Sequence, residues 1–135
     1  MTKLRKLSCF QDVLNTLEGI RDSEYDAKIY RTHCHEFGSY ARKFESILET
    51  AVVVCPDAVN AFSKSDEMRA LSFTLRDGLL LMRKCAKSNV LFKLMNRGEL
   101  KHEMEALIAL LRQDCNTAEN KLRSLAAVES AKQAT

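Results

Sequence analysis

Two histidines flank a cysteine at His33, Cys34 and His35, and this triplet is the first place to look for metal chemistry. Imidazole and thiolate are ligands that Zn²⁺ prefers, and helical metal sites place them three or four residues apart. On a helix His33 and His35 point about 200° away from each other. The residues one turn further on, Phe37 and Ser39, supply no second ligand. We therefore predict that His33 and His35 are polar residues that flank the buried face of an amphipathic helix, and that the chain has no metal or cofactor site.

Motifs for catalysis are equally scarce. The chain contains no nucleophile elbow, no glycine-rich phosphate loop and no HExxH zinc motif. The acidic residues Glu99, Glu103 and Glu105 open the last predicted helix, where the helix dipole favours negative charge. A closely packed helical core also offers no substrate pocket. We predict that the chain is not an enzyme and has no catalytic residues.

Basic residues form the clusters with the clearest functional meaning, and six of them are candidate contacts for an acidic partner or for lipid. They are Lys3, Arg5, Lys6, Arg83, Lys84 and Lys87. If they gather on one face, they would attract an anionic membrane surface or an acidic protein. Acidic residues are interspersed with them and aromatic residues do not alternate with them, which disfavours nucleic-acid binding. A plain solvated surface is the competing interpretation.

Five cysteines are widely spaced along the chain, with no CxxC pair among them. Cys34, Cys85 and Cys115 fall on apolar seams, where cysteine behaves as a small buried hydrophobe. The odd number and a start that lacks a signal-peptide core favour a reducing compartment. The longest apolar runs, 51–55 and 78–82, are too short to cross a bilayer. We expect a cytoplasmic protein, with attachment to the periphery of a membrane as an alternative.

Long amphipathic helices must position these residues. Apolar side chains recur at steps of four and three in two parts of the chain. The first set is Tyr30, Cys34, Phe37, Ala41, Phe44, Leu48 and Ala51, and the second is Leu100, Met104, Leu107, Leu111, Cys115, Ala118, Leu122 and Leu125. This period stacks side chains into a narrow stripe that another helix must cover. With 4 Gly and 1 Pro in 135 residues, a turn-rich β fold is excluded, and we predict an all-α, antiparallel four-helix bundle.

Breaks in the apolar pattern mark where one helix of this single bundle ends and the next begins. The predicted long helices span about residues 2–20, 24–54, 66–88 and 99–127. Pro56 ends the second helix, because the residue before a proline avoids helical geometry. Two short helices are expected, a lid at 58–62 and an additional one at 90–95 before the last long helix. The bundle would occupy 1–128, followed by a loose polar tail at 129–135.

Two glycines, Gly38 and Gly78, fall near the middle of predicted helices. Each costs about 1 kcal/mol of helix stability relative to alanine. If the two helices are antiparallel neighbours, the glycines lie at similar heights. We therefore expect a close approach of the two backbones there, with a functional bend as the alternative.

The segment 79–96, LLLMRKCAKSNVLFKLMN, has the pattern of a helix ending in a cysteine and polar residues, followed by a short aromatic-containing helix. Together with Phe44, Leu48 and Ala51 on an earlier helix, it resembles the N-terminal four-helix bundle of the mixed lineage kinase domain-like family and fungal HeLo domains. The resemblance implies a regulatory or cell-death module. Some members permeabilise membranes through basic residues that reach acidic phospholipids, and others act as adaptors. No shared motif fixes a residue-by-residue register.

These observations favour a non-catalytic regulatory or scaffolding module that binds another protein through a helical surface. One alternative is a membrane-associating bundle whose basic residues bind anionic lipid. Another is a homotypic self-assembly domain, in which an incompletely covered apolar stripe pairs between copies. That stripe would combine Val90, Leu91 and Leu94 with Val52 and Val53.

Overall fold

The computed structural model of the chain describes residues 10–87 and 98–134. All regular secondary structure in these two ranges is helical, which confirms the predicted all-α helical bundle. The helices are α1 (Gln11–Ser23), α2 (Arg31–Val54), α3 (Pro56–Phe62), α4 (Asp66–Lys87) and α5 (Glu99–Ala134). The expected lid helix is α3, which has Pro56 in its first turn. The second expected short helix, at 90–95, lies outside the described residues.

Four long helices surround one core. Both α2 and α4 pack on α1 and on α5, so α1 and α5 stand diagonally across the bundle. α4 and α5 are antiparallel, since Thr74 meets Asp114 while Lys84 lies near Glu103. α2 and α5 instead run in the same direction, since Cys115 meets Tyr40 and Leu122 lies near Ile47. α3 follows α2 and packs on α5 as well as on α2, which closes one side of the core.

The core is built mainly from aliphatic, methionine and phenylalanine side chains of all five helices. The largest fully buried side chains are Phe10, Phe37, Phe44, Phe62, Leu14, Ile20, Leu48, Leu71, Leu75, Met82 and Met104. In the first stripe only the end positions, Tyr30 and Ala51, are half-buried. In the second stripe, Ile108 is buried where we expected Leu107, which is half-buried. The seven-residue rhythm therefore identified the buried face of both helices.

The boundary between α1 and α2 differs from the prediction of a short break followed by a helix from Glu24. α1 continues to Ser23, residues 24–30 are not helical, and α2 begins only at Arg31. This loop buries apolar side chains, and the backbone N–H of Lys28 donates to the Cys85 carbonyl at the end of α4, at 3.0 Å. The loop is therefore a packed connection that ties the end of α1 to the end of α4.

The last helix also differs from the prediction. α5 continues past residue 127 to Ala134, into the segment that we expected to be a loose tail. The residues there are mostly Ala, Glu, Lys and Gln, which have high helix propensity. A Glu129–Lys132 pair at 3.5 Å, one turn apart, adds local support.

We predicted that Gly38 and Gly78 allow two helix backbones to approach closely. The structure shows a different reason for both glycines, which is contact with a buried side chain. A Cβ placed on Gly78 would lie 1.9 Å from Cζ of Phe37, a fully buried ring. A Cβ placed on Gly38 would lie 2.6 Å from the carboxyl carbon of Glu24. Each glycine therefore makes room for a buried side chain from another part of the chain.

Candidate functional site

Of the six basic residues predicted to contact an acidic partner or lipid, the three that the structure describes lie at the end of α4. Arg83, Lys84 and Lys87 are exposed, and the last two occupy the final turn, where the helix dipole favours cations. The Arg83 side chain extends toward α1, with Nη2 3.6 Å from the position of a Cβ built on Gly19. The other three predicted contacts fall outside the described residues and are Lys3, Arg5 and Lys6. That all six share one face stays a prediction.

On the solvent-exposed side of α4, six residues also recur at sequence steps of four and three, a pattern that sequence analysis missed. We call it the α4 stripe, and its members are Arg69, Phe73, Arg76, Leu80, Arg83 and Lys87. Residues three and four apart on a helix are neighbours, so these side chains form one line along the exposed face. The pattern was available in the sequence, since the buried positions of α4 fix the opposite face as solvent-exposed.

Two large apolar side chains stand in the middle of the α4 stripe. Phe73 is 55% exposed and Leu80 is 53% exposed. The guanidinium carbon of Arg76 lies 5.9 Å from the centroid of the Phe73 ring, within the range of a cation–π contact. On neighbouring α5, Leu110 is also exposed. The outer surface of α4 therefore combines apolar and cationic groups in one patch.

The side of the stripe toward α5 is acidic as well as basic. Asp77, Lys84 and Glu103 line a shallow depression of about 390 Å³, together with Leu107. Asp77 and Glu103 are both exposed. The positive charge of α4 is therefore concentrated along the stripe itself and is partly neutralised next to it.

A second depression lies between α2 and α5, at the level of Ile47 and Leu122. It has a volume of about 350 Å³ and is lined mainly by aliphatic side chains. Two charged residues at its edge, Glu119 and Arg123, pair with each other at 2.7 Å. Because these charges neutralise each other, the groove has no charge with which to select a ligand.

A buried ionic cluster joins the loop after α1 to α2. The Glu24 side chain is 1% exposed, whereas those of Arg42 and His35 are 46% and 44% exposed. Arg42 Nη1 donates to Glu24 Oε2, and His35 Nδ1 lies 3.2 Å from Glu24 Oε1. This arrangement satisfies both oxygens of a buried carboxylate, as burial requires. The cluster anchors the loop and is structural.

A second ion pair, between α1 and α2, supports the same interface. Arg21 Nη2 donates to Glu45 Oε1 at 2.5 Å, and the Glu45 side chain is largely buried. The hydrogen bond and the nearby Glu45 charge raise the pKa of Arg21 above its ordinary value. The pair therefore joins α1 to α2.

We expect Arg42→Met to destabilise the fold more than Glu24→Gln does. Without Arg42, the buried Glu24 carboxylate loses its main partner, and an uncompensated buried charge costs about 3 to 5 kcal/mol. Without the Glu24 charge, the half-exposed Arg42 and His35 can turn to water, so the cost falls to about 1 to 3 kcal/mol. Urea denaturation of both variants measures the difference. Equal costs, or a larger cost for Glu24→Gln, would contradict the structural role assigned to Glu24.

The histidines that opened the sequence analysis point to different partners. His35 packs edge-on against Tyr25, with ring centroids 4.7 Å apart, in addition to its contact with Glu24. His33 packs edge-on against Tyr30, with centroids 5.9 Å apart. Across residues 10–87 and 98–134, no group of three or more His, Cys, Asp or Glu side chains is placed to hold a metal ion.

The seam cysteines are buried, as predicted. Cys34 on α2 and Cys85 on α4 are fully buried. The interaction between their thiols, together with burial, raises the pKa of Cys34, and the same interaction lowers the pKa of Cys85. Burial raises the pKa of Cys115 to about 12. Cys34 and Cys115 are therefore neutral thiols at physiological pH. All three cysteine side chains belong to the apolar core.

None of the described helices combines the length and apolar character that crossing a bilayer requires. Searches against protein-family models, curated proteins and solved structures gave no match. Functional inference therefore rests on the geometry of the chain itself. Among the surfaces of residues 10–87 and 98–134, the α4 stripe is the one that brings exposed apolar and charged side chains together in a regular order.

Proposed function

We propose that the chain is a non-catalytic regulatory or scaffolding domain that binds another protein through the outer surface of α4. The observation that supports this proposal is the exposure of Phe73 and Leu80, two turns apart on one face. Exposed apolar groups that form a contiguous patch mark interaction surfaces more often than isolated ones do. Leu110 on the neighbouring helix α5 is exposed as well. Aromatic residues and arginine, which are enriched in protein interfaces, occur together here.

The experiment is cross-linking from a defined position in cells that express the chain. A photoreactive phenylalanine analogue replaces Leu80 in one variant and Val128, an exposed apolar residue on α5, in the matched control. We expect a discrete protein adduct from position 80, lost when Phe73→Ser is added, and no corresponding adduct from position 128. Equal adducts from both positions, or an adduct insensitive to Phe73→Ser, would contradict the proposal.

Association with an anionic membrane surface is a second candidate. Arg83, Lys84 and Lys87 are exposed together at one end of α4, which favours contact with acidic phospholipid. It is also the activity that the resemblance to the mixed lineage kinase domain-like bundle implies. Vesicle sedimentation at low and high salt distinguishes it from protein binding, because lipid contact through these residues is salt-sensitive.

Self-association is supported less well by the geometry. Of the two α2 residues expected in a homotypic stripe, Val53 is exposed but Val52 is buried in the core and unavailable for pairing. The other expected members, Val90, Leu91 and Leu94, lie outside the described residues. Light scattering across a dilution series tests this alternative, and a constant monomer mass would contradict it.

A further inference from the structure

We propose that the partner of the α4 stripe is an acidic amphipathic helix, an inference that rests on the function proposed above. Four of the six stripe residues are cationic, and they surround the apolar pair Phe73 and Leu80. A complementary surface must therefore offer apolar side chains along its centre and carboxylates beside them. An amphipathic helix bearing Asp or Glu next to its apolar face has this composition.

The spacing of the stripe matches a helix better than it matches an extended peptide. Arg69, Arg76 and Arg83 are seven residues apart, as are Phe73 and Leu80. A partner helix that repeats its apolar and acidic residues every seven positions stays in register with all of them. The stripe is about 27 Å long at 1.5 Å per residue, so a helix of about five turns covers it.

The cationic groups of the stripe are available for such a partner. Arg69 lies 3.9 Å from Asp66, but both side chains are largely exposed, so this pair contributes little and can be exchanged. Arg76 lies against the Phe73 ring, which places its guanidinium beside the apolar centre. Arginine binds carboxylates through two parallel hydrogen bonds, which gives a helix bearing acids both affinity and a fixed orientation.

The charges on and beside the stripe favour binding of an acidic helix more than binding of a flat anionic membrane. A bilayer pressed against α4 would also meet the exposed carboxylates of Asp77 and Glu103, on the side toward α5. Those acids would lie against lipid phosphates, and like charges repel. A single helix is about 10 Å wide and can set its own acids against Arg69, Arg76 and Arg83, on the side of the stripe away from the depression that Asp77, Leu80 and Glu103 line. The charge distribution therefore favours a single acidic helix over a lipid surface as the partner.

Selection from a displayed library of amphipathic helices tests the inference directly. Each library member has leucine along one face and Glu, Lys or Gln at random in the flanking positions. The bait is the purified full chain, and we expect Glu to exceed Lys at the flanking positions by about tenfold or more among the selected helices. On a bait carrying Arg69→Glu, Arg76→Glu and Arg83→Glu, the preference should reverse to Lys. These exposed substitutions should leave the helical circular dichroism unchanged.

The matched control bait is Arg112→Glu, an exposed arginine on α5 that lies about 200° around the helix from Leu110. It should keep the parental preference for Glu. Selection without a charge preference, selection of no helix at all, or reversal on the Arg112→Glu bait would each overturn the inference. Binding of the parent to phosphatidylserine vesicles, lost in the triple variant while no helix is selected, would assign the stripe to lipid.

The two proposals fail in different ways. If a protein adduct forms at position 80 but the library shows no preference for acidic helices, only the nature of the partner is wrong. If no adduct forms at position 80 and no helix is selected, the α4 surface is not a protein-binding site and the proposed function fails as well.

Discussion

Replacing Phe44 by aspartate will unfold the domain. Phe44 is fully buried at the centre of the α2 stripe, with its ring centroid 6.4 Å from that of Phe62 on α3. Removing a buried phenylalanine side chain costs about 3 to 5 kcal/mol. An unpaired carboxylate in the same place adds several kcal/mol. The sum is comparable with the whole stability of a typical domain, about 5 to 15 kcal/mol.

Thermal unfolding followed by circular dichroism measures this effect. Two matched variants separate loss of packing from burial of charge. Phe44→Leu keeps an apolar group and should cost less than the aspartate variant by several kcal/mol. Arg83→Glu changes charge at an exposed position and should leave the melting temperature near that of the parent. If Phe44→Asp melted at the parental temperature, the assignment of the core seam would be wrong.

Replacing Gly78 by alanine will destabilise the domain, although alanine is the better helix former by about 1 kcal/mol. The new Cβ would lie 1.9 Å from Cζ of Phe37, a contact that cannot exist without movement. The Phe37 ring is fully buried, so it cannot swing out to solvent without opening the core. Overpacking of this kind costs about 1 to 3 kcal/mol, which exceeds the gain in helix propensity.

Urea denaturation of Gly78→Ala and of Gly19→Ala measures this balance. At Gly19 the nearest atom to an added Cβ is Cδ2 of Leu79, at 2.9 Å, the far end of a flexible side chain that can move aside. We therefore expect Gly19→Ala to be close to neutral. Adding Phe37→Leu to Gly78→Ala should cost less than the sum of the two single changes, because the smaller side chain relieves the overlap. A Gly78→Ala protein as stable as the parent would contradict this explanation of the glycine.

The helices themselves were predictable because their signals are local and repeated. Along about three turns of α2, Cys34, Phe37, Ala41 and Phe44 lie on one side, and this repetition outweighs the weak preference of any single residue. Pro56 likewise marked the end of α2, because the residue before a proline avoids helical geometry. These features depend on sequence neighbours alone.

The loop at 24–30 was not predictable on the same basis. Glu24 is a good helix former and stands where an acidic residue would favour a helix start, yet it is buried outside a helix. Its position is set by the contact with Arg42, eighteen residues further along the chain, and by the space that Gly38 leaves because it has no side chain. Local propensity carries no information about such partners, so tertiary contacts decided the structure here.

The α4 stripe was missed for a different reason. Its basic residues resemble an ordinary solvated face, and a charge cluster made of Arg83, Lys84 and Lys87 leaves out Phe73 and Leu80, which precede it on α4. Once Leu71, Leu75 and Leu79 are assigned to the core, the opposite face of α4 must contain Phe73 and Leu80. An apolar residue on the wrong face of an amphipathic helix was the signal that would have found the surface.

Hydroxyl-radical footprinting of the free chain, and of its complex with the protein cross-linked at position 80, tests the central claim most directly. We predict that Phe73, Leu80 and Val128 are all modified in the free chain, since all three are exposed. In the complex, modification of Phe73 and Leu80 should fall while that of Val128 stays unchanged. Protection of Phe73 and Leu80 in the free chain, or undiminished modification of both in the complex, would contradict the assignment of α4 as the binding surface.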